Sequence, residues 1–287
     1  MQRSGPVDGF SLAFDRRGSG PAVVLLHGWP GDRHDWRDVV TLLGDSFTTV
    51  VPDLRGFGES GKHADDPAPY GAAGQVASVL GLIGELALER PVVAGYDVGS
   101  RTAQQLARTA PDRIGALVLA PPLPGVGDRV LTPEAQSEFW YQPFHRLELS
   151  ERLLDGNRAA VRSYLEHFWS HWSGPAFTPD PAELDRPAGL YGEPGAFAAS
   201  IGWYRSGSGT VATSLAERAP APEARIQTPT TVLWPEHDPL FPPAWGDRLG
   251  EFFADVTRED LAAAGHFSPL EAADRFAAAI TAAAGRR

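Results

Sequence analysis

The chain has 287 residues, room for one large α/β domain with a sizeable insertion or for two domains. Hydrophobic content of 43% and charged content of 21% are ordinary for a globular protein, while a net charge of −11 argues against a nucleic-acid partner, because an acidic surface repels phosphate backbones. The absence of cysteine excludes disulfides, thiolate metal sites and a cysteine nucleophile.

The start, MQRSGPVDGF, carries no apolar signal-like stretch. No apolar run approaches the roughly 18 residues of a membrane span. A soluble, cytoplasmic protein is therefore expected. Val7 to Phe14 reads as an edge strand and Ala22 to Leu26 as a short, fully apolar one, with Val39 to Leu43 in a following helix. Phe47 to Val51 is the next strand, and Gln75 to Leu88 has helical apolar spacing. Val92 to Ala94 is a buried strand, Ser100 to Ala110 a helix, and Ile114 to Ala120 another strand. Short apolar strands alternating with helices predict a mostly parallel, doubly wound α/β sheet. The alternation stops at Pro121-Pro122-Leu123-Pro124-Gly125 and resumes with strands at Thr230 to Trp234 and near Val256 to Leu261. A helix is expected near Trp245 to Phe253 and a terminal one from Ser268. Between the two halves lie many aromatics and few strand-like runs. The expected organisation is a discontinuous core, 1–125 and 226–287, with a helical cap at 126–225.

Gly95-Tyr96-Asp97-Val98-Gly99 joins a strand to a helix with small residues on either side of a tip, the pattern of a nucleophile elbow. The tip is Asp97. A carboxylate there suits displacement at saturated carbon, because water can later cut the resulting ester. A serine attacking the same carbon would leave an ether. His27-Gly28-Trp29-Pro30 ends the Leu25-Leu26 strand, so the Trp29 and Val98 amides are the candidate oxyanion donors. Asp238 follows a later strand where a triad acid projects, with Glu236 its nearest rival; the strand ending at Ala120 offers no acid in the next seven residues. His266 lies between a strand and the last helix. The order Asp97, Asp238, His266 is that of a nucleophile, an acid and a histidine in this architecture. In these roles Asp97 forms an ester, and His266, oriented by Asp238, activates the water that cuts it. His167 and His171 are four apart, but no HExxH pattern or third ligand accompanies them, so neither a metal nor a cofactor is expected.

These motifs resemble the α/β-hydrolase superfamily, in particular its epoxide hydrolase and dehalogenase branch. HGWP is similar to that branch's HGxP, Asp53-Leu54-Arg55-Gly56-Phe57-Gly58-Glu59-Ser60 to its DLRGxGxS loop, and Gly95 to Gly99 to its aspartate elbow. The resemblance implies an epoxide hydrolase that opens an apolar or aromatic epoxide to a vicinal diol. It also implies two cap tyrosines as proton donors. Tyr204, in Gly202-Trp203-Tyr204-Arg205, matches the family's WYR segment, and Tyr141-Gln142 its Tyr-Gln pair. Trp140, Gln142 and Trp203 are the expected pocket residues, and the partners are a small epoxide and water. A dehalogenase using the same triad is the first alternative. Fluoroacetate dehalogenases usually show His-Trp in the cap and arginine after the nucleophile; here those positions are Phe139-Trp140 and Val98, although Arg101 matches a second arginine. A non-hydrolytic binding member of the fold is the second alternative.

Overall fold

A computed structural model describes residues 1–63 and 66–286. Among them one eight-stranded sheet forms from β1 (Gln2–Arg3), β2 (Ala13–Arg17), β3 (Ala22–Leu26), β4 (Thr48–Pro52), β5 (Val92–Gly95), β6 (Ala116–Leu119), β7 (Thr230–Pro235) and β8 (Val256–Leu261). The strand order is β1-β2-β4-β3-β5-β6-β7-β8. From β4 onward all neighbours are parallel, whereas β2 is antiparallel to both β1 and β4. The α/β class expected from the alternation is the one that forms. Every residue of β3, β5 and β6 is buried, which is why these strands read as unbroken apolar runs.

The helices of the first half are α1 (Arg37–Leu43), α2 (Ala72–Glu85) and α3 (Val98–Thr109). Between β6 and β7 come α4 (Pro133–Glu138), α5 (Tyr141–His145), α6 (Glu148–Leu154), α7 (Arg158–Trp172), α8 (Asp185–Tyr191), α9 (Ala196–Ser200), α10 (Gly202–Arg205) and α11 (Thr210–Ser214). The chain closes with α12 (Leu249–Phe252), α13 (Ser268–Glu271) and α14 (Ala273–Ala284). Helix α1 packs on α14, and α2 on α3, so two helical layers sandwich the sheet. No helix among the described residues is long and apolar enough to cross a membrane.

Three local differences from the sequence reading have physical causes. Val7 to Phe10 is a tight turn, not a strand. Asp8 and Gly9 have φ of 50° and 83°, and the Val7 and Phe10 backbones exchange two hydrogen bonds of 2.9 Å. Asp-Gly is the residue pair that such a two-residue turn favours. The stretch before α12 is a 3-10 turn, Pro243–Arg248, and not the beginning of one long helix. The terminal helix is broken at Ala272, whose φ of −141° leaves the helical region between α13 and α14.

The join between β5 and α3 is made possible by missing side chains. A Cβ on Gly95 would come within 2.6 Å of the Gly99 carbonyl, and one on Gly99 would overlap the Leu26 carbonyl oxygen. Strand, turn and helix start therefore pack backbone to backbone. Gly99→Ala is expected to lower unfolding free energy by about 1–3 kcal/mol, the usual cost of overpacking a tight interior. Urea denaturation would check this; an unchanged midpoint would show that the turn relaxes freely.

Candidate active site

The candidate residues leave the carboxyl ends of neighbouring parallel strands: Trp29 after β3, Asp97 after β5, Asp238 after β7 and His266 after β8. In open α/β sheets that edge is where ligands bind. Asp97 has φ 48° and ψ −121°, an unusual conformation for a residue with a side chain. Gly28 lets the neighbouring loop close on it, since a Cβ there would lie 2.5 Å from Asp97 Cβ and 3.0 Å from Tyr96 Cε2. That approach allows the Trp29 N–H to donate to Asp97 Oδ1 at 2.8 Å, and Val98 opens α3 directly after Asp97.

The HGWP and DLRGFGES motifs build the frame of this loop. His27 Nε2 accepts from the Leu54 N–H at 3.0 Å while Nδ1 donates to the Gly28 carbonyl at 2.8 Å. Asp53 accepts from the backbone N–H groups of Arg33 and Glu59 at 2.8 Å each and pairs with the Arg33 guanidinium. Behind the elbow, the Tyr96 hydroxyl donates to Asp35 Oδ2 at 2.6 Å. Burial, with Asp32 nearby, pushes the Asp35 carboxyl up to about 8.

His266 and Asp238 meet beyond the carboxyl ends of β8 and β7. His266 Nδ1 lies 2.9 Å from Asp238 Oδ2, and Asp238 Oδ1 accepts from the Leu240 N–H at 2.9 Å. The other ring nitrogen, Nε2, is buried without a hydrogen bond and points toward Asp97, 3.7 Å from Oδ2. Burial pushes the Asp97 carboxyl up, against the opposing pull of His266 and the Trp29 and Val98 amides. For His266 burial alone would depress the pKa, but Asp238 and Asp97 outweigh it and raise it. Glu236 is exposed and accepts no side-chain role beside His266.

The inserted helices close the site from above. Tyr141 and Tyr204 are buried, meet edge-on with ring centroids 5.6 Å apart, and both lie in the field of Asp97. Burial holds both phenols well above their usual pKa, so they stay protonated. Gln142 Nε2 donates to the Tyr141 hydroxyl at 3.1 Å, and its Oε1 accepts from the Val211 N–H at 3.0 Å. The Trp29 indole stacks on Tyr141 at 5.6 Å and meets Tyr204 edge-on at 5.9 Å. Trp172 contacts the His266 ring at 4.9 Å, and its carbonyl accepts the His266 N–H at 2.8 Å.

Two of the expected pocket residues are not brought to this cluster. Trp140 is 41% exposed and packs on the outer side of Phe168 and Tyr164. Trp203 lines a separate groove with Arg101, Gln104 and Glu217. Arg101 is paired there with Glu217 at 3.1 Å. His167 and His171 stack on each other, but no group of residues able to hold a metal occurs among the described residues.

Two further members had escaped the sequence reading. His145 is fully buried against Trp29 at 4.6 Å and Tyr204 at 4.9 Å, and its Nε2 lies 3.0 Å from the Tyr164 hydroxyl. Burial, reinforced by Arg205, holds its pKa well below the usual value, so it is neutral. Its spacing of four from Tyr141 on one helix was the available signal. Glu271 accepts from the Gly174 and Gly265 N–H groups at 2.7 Å and from Phe267 at 3.0 Å, tying the His266 loop to the end of α7. Nothing in its local sequence distinguishes it from any acid in a first helical turn.

Residues 21–140 match the α/β hydrolase fold family. A proposed α/β hydrolase from Nostoc sp. PCC 7120 superposes with a TM-score of 0.85 at 25% identity, covering 97% of this chain and 96% of that one. The chain has the α/β-hydrolase fold. A Bacillus megaterium epoxide hydrolase in complex with an inhibitor shares that fold at a TM-score of 0.81 and 20% identity, over 99% and 100% of the two chains. By sequence, the chain is 38% identical over 109 residues to a fluoroacetate dehalogenase from Burkholderia sp., covering 37% of this chain and 36% of the relative. It is 32% identical over 132 residues to a soluble epoxide hydrolase from Corynebacterium sp. (strain C12), 45% of each. The matched segments thus span less than half of these curated relatives.

Asp238 carries most of the support for a protonated His266. Asp238→Asn leaves burial, which favours the neutral ring. The His266 pKa is expected to fall, readable as a shifted histidine titration by NMR; an unmoved midpoint would show that Asp97 suffices.

Proposed function

We propose that the protein is an epoxide hydrolase that works through a covalent aspartyl ester. The observation that carries this reading is that two phenols meet above the site: Tyr141 and Tyr204 are buried with ring centroids 5.6 Å apart, both packed on the Trp29 whose N–H holds Asp97, and it is Tyr141, added to the Tyr204 that a dehalogenase would share, that favours an epoxide. A halide leaves as a stable anion and needs only weak donors. An epoxide oxygen leaves as an alkoxide and needs a proton. General acid help of this kind is typically worth about 10²- to 10⁴-fold.

In this mechanism Asp97 Oδ2 attacks one ring carbon, the carbon–oxygen bond breaks, and a tyrosine hydroxyl delivers its proton to the departing oxygen. Water then adds to the ester carbonyl, giving its proton to His266 Nε2, with Asp238 stabilising the resulting imidazolium. The Trp29 N–H, already bonded to the Asp97 carboxyl, and the Val98 N–H at the start of α3 stabilise the oxyanion. Collapse of that intermediate expels the ester oxygen, which takes the proton of the added hydroxyl and leaves as a vicinal diol with Asp97 restored as carboxylate, and the His266 proton returns to the tyrosinate through solvent. The chemistry asks for no cofactor. The partners are a small epoxide and water.

We assign residues 1–125 and 226–287 to the core and 126–225 to a cap. In support, among the described residues no strand lies between 126 and 225, and α5, α7 and α10 supply the aromatic roof.

A dehalogenase reading has one observation in its favour, the sequence match to the Burkholderia fluoroacetate dehalogenase. Against it, Val98 and not an arginine follows Asp97, and the Arg101 guanidinium is engaged by Glu217.

Single turnover with excess enzyme in heavy-oxygen water separates covalent from direct attack. The first-turnover diol is expected unlabelled, with the label in the Asp97 peptide, and His266→Gln is expected to accumulate the ester as a mass increase on the intact protein. Label in the first diol would mean that water attacks the substrate itself.

Tyr204→Phe keeps the ring and removes the donor. It is expected to slow epoxide-dependent alkylation by about 10²-fold or more while sparing ester hydrolysis, in pre-steady-state measurements. Undiminished alkylation in both Tyr204→Phe and Tyr141→Phe, or fluoride release from fluoroacetate by a wild type inert to epoxides, would hand the assignment to the dehalogenase reading.

A further inference from the structure

The cluster around Asp97 is closed on itself: Asp97, Tyr141, Tyr204, Asp238 and His266 are between 1% and 6% exposed. Substrate must reach it from somewhere. A pocket of about 240 Å³ beside α5, α10 and α11 is lined by Tyr204 and Gln142, which belong to the cluster, and by Pro143, Val211, Ala212 and Arg146. Gln142 separates this pocket from the Tyr141 hydroxyl, to which it donates. Gly209 completes the wall: a Cβ there would sit 2.8 Å from Gln142 Oε1 and 3.0 Å from Tyr204 Cδ1. Only a residue without a side chain leaves those two groups in place.

Four further cavities border the insertion, and none of them touches the five clustered residues; the one near Leu240, about 440 Å³, carries Glu134 and Glu138. Each of those four has a carboxylate in its lining, and the Tyr204 pocket has none. Pro143, Val211 and Ala212 make the Tyr204 pocket apolar, and Arg146 is exposed with no ion-pair partner among the described residues. By contrast, neighbouring Arg205 is held by Glu151 at 2.7 Å. A guanidinium without an ion-pair partner among the described residues, at the rim of an apolar pocket, is chemically suited to pair with an anionic tail.

We propose that this pocket is the approach to Asp97 and that it selects apolar epoxides bearing a carboxylate at the far end, seated on Arg146. The proposal rests on the epoxide reading above. The pocket is smaller than the roughly 300–1,000 Å³ typical of drug-sized ligand sites. It suits a medium alkyl chain, with the ring inward at Tyr204 and the acid outward.

The test compares a terminal epoxyalkanoate with its methyl ester. Wild type is expected to prefer the acid by about tenfold in kcat/KM, a modest figure because the pair is solvent-exposed. Arg146→Gln should erase that preference through KM with kcat retained, and Arg146→Glu should invert it. Ala212→Trp, which narrows the pocket from its exposed wall, should lower kcat/KM for both epoxides. Hexanoate supplies a readout free of catalysis: it should raise the melting temperature of wild type and not of Arg146→Gln. An acid-to-ester ratio and a hexanoate response that are the same in wild type and Arg146→Gln overturn the carboxylate subsite. Wild-type rates in a folded Ala212→Trp overturn the route. If wild type opens neither epoxide but hexanoate stabilises it through Arg146, the reaction assignment fails and the anion-selecting pocket stands.

Discussion

Asp97 occupies a backbone conformation, φ 48° and ψ −121°, of the kind that costs an ordinary residue about 1–3 kcal/mol. What keeps it there is mostly the absence of atoms around it. Gly95 and Gly99 let β5 and α3 meet backbone to backbone, and Gly28 lets the loop after β3 lie against the Asp97 side chain. Because that loop is so close, its Trp29 amide can reach the carboxyl, and the loop is itself braced by His27 and by the Asp53 bonds. The position of one carboxylate thus ties together three strand ends. Small residues, and not large contacts, carry the constraint.

Burial does the electrostatic work. In water, an aspartate and a histidine a few ångströms apart would barely notice each other, but Coulomb attraction strengthens several-fold as the local dielectric falls. Here burial pushes Asp97 toward its neutral form, and His266 with two amides pulls it back. The same burial keeps Tyr141 and Tyr204 protonated and His145 neutral. One dry environment therefore sets acceptors, donors and spectators at once. Glu271 belongs to this balance indirectly, since it fixes the loop that aims His266 and accepts three backbone N–H groups to do so.

The parallel strands were legible because they are buried on both faces, so they read as short apolar runs between turns. The elbow and His266 with Asp238 were legible because their residue types stand at strand ends in a recognisable order. Val7 to Phe14 misled because its apolar residues flank a turn; the Asp-Gly pair was the better guide. The inserted helices were harder. Several span only four to seven residues, too short to show a clear 3.6-residue period, and tertiary packing decides where their side chains go. That is why Tyr204 turns to the site while adjacent Trp203 lines a groove, and why Trp140 is outside while Tyr141 is inside. Aromatic content marked the segment but not the facing. Glu271 and His145 act through partners distant in sequence, at Gly174 and Tyr164.

Trp29 joins the two halves of the molecule. Its backbone belongs to the sheet edge and donates to Asp97 at 2.8 Å. Its indole belongs to the inserted helices, touching Tyr141, His145, Phe168 and Tyr204. A rigid bicyclic ring has few ways to yield, and close-packed interiors transmit displacement instead of absorbing it. Any shift of α5 or α7 that repacks the indole also moves the amide that holds the Asp97 carboxyl. The roof over the site and the orientation of the group beneath it are therefore set by the same side chain, and neither can be altered without the other.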